Sequence, residues 1–103
     1  MLAKNTPKPP DYLRPETRQW FQSVVADFEL QPHHVRLLTL AAESWDRGQQ
    51  ARELLEIEGI TVPGREGSKA HPAISIERDA RIAFARLIAQ LSLDDVEELK
   101  SKW

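Results

Sequence analysis

The sequence predicts an all-α chain: a short N-terminal helix, two long antiparallel helices joined by a hairpin-like loop, and a short C-terminal helix. Three observations lead there. Apolar residues recur at helical spacing in three separate segments. Each of those segments opens beside a proline, at Arg14-Pro15, Gln31-Pro32 and His71-Pro72, where a helix can begin without wasting an N–H. The β-like run Ile60-Thr61-Val62 is short and runs straight into Pro63-Gly64, so any sheet is limited to two short strands.

Residues 1–13 hold Pro7, Pro9 and Pro10 with Lys4 and Lys8, and read as an extended, mobile arm. Pro15 and Glu16 then suit a helix start, one by its fixed φ and the other by its charge. Trp20, Val24 and Phe28 follow at i, i+4, i+8 with Phe21 and Val25 beside them, predicting a helix over about 15–28. From Pro32 to Glu58 the positions Leu37, Ala41, Ser44, Gly48, Ala51 and Leu55 step by 4, 3, 4, 3, 4. This is a two-in-seven seam whose central members are small enough to admit another helix closely. Leu38, Ala42 and Trp45 widen it, and Gly59 stops the helix. Pro63 to Ser68 reads as a turn or hairpin tip. A third helix runs from His71-Pro72 to about Leu91 on Ile76, Ala80, Ala83, Leu87 and Leu91, with Phe84 and Ile88 alongside. Asp94 and Glu97 form a capping-box pattern that opens a terminal helix over about 95–102. The domain reading is an arm at 1–13, a helical core for oligomerisation at 14–92, and a docking segment at 93–103.

Composition excludes several classes. The 103 residues suffice for one domain. With no cysteine there is no disulfide, thiolate metal site or cysteine nucleophile. No apolar run is long enough to span a bilayer, and the N-terminus lacks the apolar core of a signal peptide, so the expected location is cytoplasmic and off the membrane. Fourteen basic against sixteen acidic residues give a net charge of −2. Contact with a nucleic acid must therefore come from a local basic cluster.

The residues that could carry chemistry are few. Adjacent His33 and His34 point about 100° apart on a helix and cannot share a metal there. His71, before a proline at a helix start, suits capping or packing. Neither phosphate-binding glycine pattern is present, and carboxylate pairs such as Glu43/Asp46 and Glu53/Glu56 read as solvated helix faces. No catalytic residue, cofactor or metal is expected, and the chain reads as a non-enzyme. The basic residues Lys4, Lys8, Arg14 and Arg18 cluster in the arm and first helix, and Arg78 and Arg81 share a face of the third at i, i+3. They serve either solvation and ion pairing, as with Glu77 and Asp79, or phosphate contact that grows strong when several copies are arrayed together. Trp20 falls on the apolar face of the first helix. Trp45 fits either a core or a subunit interface, and Trp103 is frayed or docked on a partner.

Several strings in this order resemble the phage terminase small subunit family: PKPPDYLRPETRQWF, then Ala41-Ala42-Glu43-Ser44-Trp45 in a long helix, then EIEGITV, and finally KAHPAISIERDARIAFARLIAQL. The resemblance covers about residues 7–95. It implies a non-catalytic component of viral genome packaging in the host cytoplasm. Such a component forms a homo-oligomeric ring, recognises viral double-stranded DNA, and regulates a large terminase subunit holding the ATPase and nuclease. On this reading Lys4, Lys8, Arg14, Arg18, Arg78 and Arg81 contact DNA. Ala41, Ser44, Trp45, Gly48, Ala51 and Leu55 form the oligomerisation seam, and Val96, Leu99 and Trp103 dock a partner. The alternative reading is a helical protein-binding adaptor that does not touch DNA.

Overall fold

The computed structural model describes residues 6–92. Helix α1 spans Pro15–Asp27, α2 spans Pro32–Glu58 and α3 spans Ala73–Leu91. Between α2 and α3 lies an antiparallel hairpin, β1 Thr61–Gly64 with β2 Gly67–Ala70, in the register Thr61↔Ala70 to Gly64↔Gly67. The chain is therefore mostly helical but not purely all-α. Thr61 and Val62 favour extended backbone, and a ribbon of two strands has only edges, which tolerate Pro63. Among the described turn residues the positive φ falls on Gly67, at +115°, so the left-handed position sits after Arg65-Glu66, where glycine meets no steric cost. The terminal helix expected over 95–102 lies outside the described residues.

Each helix begins and ends by a readable device. Pro15 and Pro32 occupy first helical positions. At the start of α2, His34 Nδ1 accepts the Gln31 backbone N–H at 2.9 Å while the Gln31 side chain accepts from the His34 backbone. This reciprocal bonding satisfies two otherwise unpaired donors. Gly59, at φ +83°, closes α2 and donates its N–H to Leu55 O. His71 organises the other end of the hairpin. Its N–H bonds Ile60 O at 2.9 Å, its Nδ1 accepts Ala73 N–H at 2.9 Å, and its Nε2 lies 2.7 Å from Glu58 Oε1. Since Nδ1 accepts, the neutral ring carries its proton on Nε2 and donates it to Glu58. One side chain thus ties the end of α2 to the start of α3.

The packing is antiparallel and close between α2 and α3. Ala41, Ala42 and Ala51 are buried, as are Ala73 and Ala80 on the facing helix. A Cβ added at Gly48 would lie 3.3 Å from Ala80 Cβ, tight for two side chains. Small residues let the backbones approach, as the seam spacing predicts. Helix α1 crosses the opposite half of α2, and there the larger side chains gather. Leu13, Phe21, Val24, Val25, Leu38, Ala42 and Leu91 form the core, with Trp20, Phe28 and Leu30 around it. Leu13 belongs by sequence to the proline-rich arm, yet it is buried in this core. The molecule is elongated, 61 × 25 × 24 Å, with the core at the α1 end and the hairpin at the other.

Candidate functional site

The basic residues singled out by the sequence do not form one patch. Arg14 makes a two-pronged contact with Glu53, at 2.7 and 3.0 Å, the geometry in which a guanidinium matches a carboxylate. Its backbone N–H donates to Asp46 Oδ2 at 2.8 Å, and Thr17 Oγ1 donates to Asp46 Oδ1 at 2.5 Å. Arg18 donates to the carbonyls of Asp11 and Leu13. Arg14 fastens the start of α1 onto α2, Arg18 ties the end of the arm to α1, and Tyr12 adds a hydroxyl contact to Glu43. Arg78 pairs with Asp79 and Arg81 with Glu77, at 3.3 and 3.5 Å, both from exposed positions on α3. Lys8 is exposed and makes no ion pair among the described residues, and Lys4 lies outside them.

Other cations stand freer. Arg36, Arg65, Lys69 and Arg86 are exposed and pair with no carboxylate among the described residues. Two of them carried a sequence signal. Neither Arg36 nor Arg86 has an acidic residue three or four positions away, so neither has a helical partner within reach. Arg65 and Lys69 belong to the hairpin, residues 61–70, in which Glu66 is the one acid.

The Arg14–Glu53 contact sets the local titration. Its hydrogen bond lowers the Glu53 carboxyl below the ordinary glutamate value and raises the Arg14 guanidinium. At the start of α2, burial lowers His34, with His33 adding repulsion from a ring centroid 4.2 Å away. A carboxyl depressed in the folded state stabilises the fold fully above its unfolded value, and that contribution disappears as pH falls through the folded value. The attachment of the arm is therefore expected to weaken as the pH falls from the ordinary glutamate value through the lowered value of Glu53. Glu53→Gln should flatten this part of the pH profile of thermal stability while leaving the neutral-pH fold intact. A profile unchanged by E53Q would show that the contact does not contribute.

The oligomerisation seam divides in two. Ala41 and Ala51 are buried and Gly48 faces Ala80 of the same chain, so these residues join α2 to α3. Ser44 and Leu55 are half-buried. Trp45 is different: its indole is 48% exposed, packed at 5.1 Å against the Phe84 ring, which in turn lies 6.0 Å from Trp20. The three aromatics border an apolar groove of about 420 Å³ between α1, α2 and α3. Leu40, Leu54 and Ile57 are also exposed on α2, Ile57 at 81%. The docking residues Val96, Leu99 and Trp103 lie outside the described residues. No described helix is long and apolar enough to cross a membrane.

Comparison with known proteins gives one family. The family model for the phage terminase small subunit matches residues 18–102, which takes in all of α2, the hairpin and α3. No curated protein and no solved structure matches the chain. With a match over most of its length, the chain belongs to the phage terminase small subunit family, whose role is in phage packaging.

Proposed function

We propose that this chain is the DNA-recognition and regulatory subunit of a phage or prophage packaging motor. It acts without catalysis of its own, as a closed homo-oligomer in the host cytoplasm, beside a large terminase subunit that holds the ATPase and nuclease. The observation that carries this reading is the family match over residues 18–102. The surface supports it. Leu40 and Leu54 are two heptads apart and Ile57 follows one turn later, so exposed apolar side chains run along one side of α2. Copies associate along that side. The inward-facing members of the seam (Ala41, Gly48, Ala51) hold the helix pair on which it stands. Lys8, Arg78 and Arg81 contact viral duplex DNA, together with Lys4, and Arg14 and Arg18 position the arm that bears the lysines. The contacts are weak singly and add across the copies of a ring. Val96, Leu99 and Trp103 dock the large subunit.

Light scattering coupled to size exclusion tests the assembly. A closed oligomer is expected, and Leu54→Glu with Ile57→Glu should shift it to smaller species without loss of helix. A chain that stays monomeric at every concentration, with DNA present, overturns the reading. Duplex titrations test the DNA contact. Affinity should fall steeply with salt, and K8A should lower the slope of log K against log[salt] by about one for each phosphate that the lysine neutralises.

The second reading, a protein-binding adaptor without DNA contact, is favoured by the commitment of Arg14 and Arg18 to acceptors within the chain. Salt-independent binding, or none, would select it.

A further inference from the structure

The hairpin carries charge that the fold does not use. Every residue of β2 is exposed, and in β1 only Val62 and Gly64 are half-buried. Acids beside the ribbon are engaged: Glu58 with His71 at 2.7 Å and Glu56 with Arg52 at 3.5 Å. Within it Glu66 offsets one positive charge, and neither Arg65 nor Lys69 pairs with a carboxylate among the described residues. We propose that this ribbon is a duplex-DNA contact, entering the major groove and placing Arg65 and Lys69 on the phosphates at its sides. The proposal rests on the DNA-contact reading above and names an element to which that reading gives no role.

Three observations point the same way. The first is the direction of the lysine. Lys69 stands opposite Val62, and Gly64 opposite Gly67. A Cβ at Gly64 would lie 3.3 Å from Cγ and Cδ of Lys69 and 2.7 Å from Gly67 O. The lysine stem therefore leans toward the turn, across a glycine pair that leaves it room, into the half of the ribbon that holds Arg65. The second is size. Strands about 4.8 Å apart make a ribbon that a groove about 12 Å wide admits. Four residues reach about 13 Å, beyond the groove's depth of about 8.5 Å, and Gly67, Ser68 and Ala70 add little width. The third is continuity. Helix α3 starts three residues after β2, and Arg78 lies about 8 Å along it. Its exposed guanidinium and that of Arg81 can thus flank the same duplex. A strand-adding peptide fits less well. That mode draws specificity from pockets for alternate side chains, and β2 offers glycine, serine and alanine around its lysine.

Titration of a fluorescein-labelled duplex with the full chain tests this. Arg65→Ala with Lys69→Ala should lower the slope of log K against log[salt] by about two for each copy that touches the duplex, with helical circular dichroism unchanged. Arg36→Ala with Arg86→Ala removes the same charge from exposed positions elsewhere and should leave the slope as it is. An equal fall in both variants overturns the proposal, because it would report net charge rather than contact. The chain has no cysteine, so a single photoreactive probe can be placed at will. On Glu66→Cys it should crosslink the duplex several-fold more than on Gln22→Cys, an exposed position on α1. The parent binding with a steep salt dependence while the hairpin variant keeps its slope, or a tip probe that crosslinks no more than the control, overturns the proposal and leaves the DNA reading standing. If the parent binds no duplex at any salt, that reading falls and this proposal falls with it.

Discussion

Gly48→Leu is expected to destabilise the fold by about 1–3 kcal/mol or more, through overpacking of the α2–α3 pair. A Cβ at this position already falls 3.3 Å from Ala80 Cβ, and a leucine adds three further carbons into the same space. Ala80 is buried and sits on a helix whose ends are both fixed, one by His71 and the other by Leu91 in the core. The helices cannot separate at Gly48 alone; they must part along the seam. Gly48→Ala should cost far less, because its single methyl needs a shift of a few tenths of an ångström while alanine gains helix propensity of about 1 kcal/mol over glycine. Chemical denaturation monitored by circular dichroism checks both, and the second variant separates overpacking from any need for glycine itself. If the leucine variant were as stable as the parent, the close approach would not be a feature of the folded chain. Assembly should follow: the outer side of α2, with Leu54 and Ile57, keeps its geometry only while α3 supports the inner side.

The helical plan was legible because its signals are local. Prolines at first helical positions, a seam stepping by 4 and 3, and Gly59 at a helix end each act within a few residues, and the structure places α1, α2 and α3 where these signals do. The hairpin was half legible. Its turn residues and the β-like run Ile60-Thr61-Val62 stood out, but the facing strand Gly67–Ala70 carries little strand propensity of its own; the His71 N–H bond to Ile60 O closes the open end of the ladder. The candidate site was least legible, for a physical reason. A sequence displays charges and hides their partners. Arg14 and Glu53 are 39 positions apart, so nothing near Arg14 reveals that its guanidinium is occupied. Arg36 and Arg86, by contrast, lack acids at helical spacing, and that absence is visible. Trp45 shows the same divide. Its period places it beside the seam, but only the packing of α1, whose Glu16, Thr17 and Trp20 border a groove beside it, leaves the indole half open.

Phe21→Ala is expected to be the most damaging single truncation, at about 3–5 kcal/mol. Phe21 is 1% exposed and, with Leu38 and Leu91, is one of the largest fully buried side chains. It comes from α1, Leu38 from the first half of α2 and Leu91 from the end of α3, so its ring joins all three helices at one point. In an elongated molecule whose core occupies one end, few other side chains can collapse into the vacated space, and the cavity term should be near its full value. Against a total stability of about 5–15 kcal/mol, the loss falls chiefly on α1. The contacts that then remain to hold α1 are the smaller Val24 and Val25 in the core and polar, partly exposed bonds of Thr17 and Arg14 to Asp46 and of Arg14 to Glu53. The α2–α3 pair keeps its own seam of small residues and its His71 closure. Hydrogen exchange should therefore show protection falling first over residues 15–27 and the partly buried Trp20, with α2 around Gly48 and α3 around Ala80 still protected. Uniform loss of protection would mean that α1 and the helix pair unfold as one cooperative unit. Phe21→Leu, which refills most of the space, should recover the greater part of the stability.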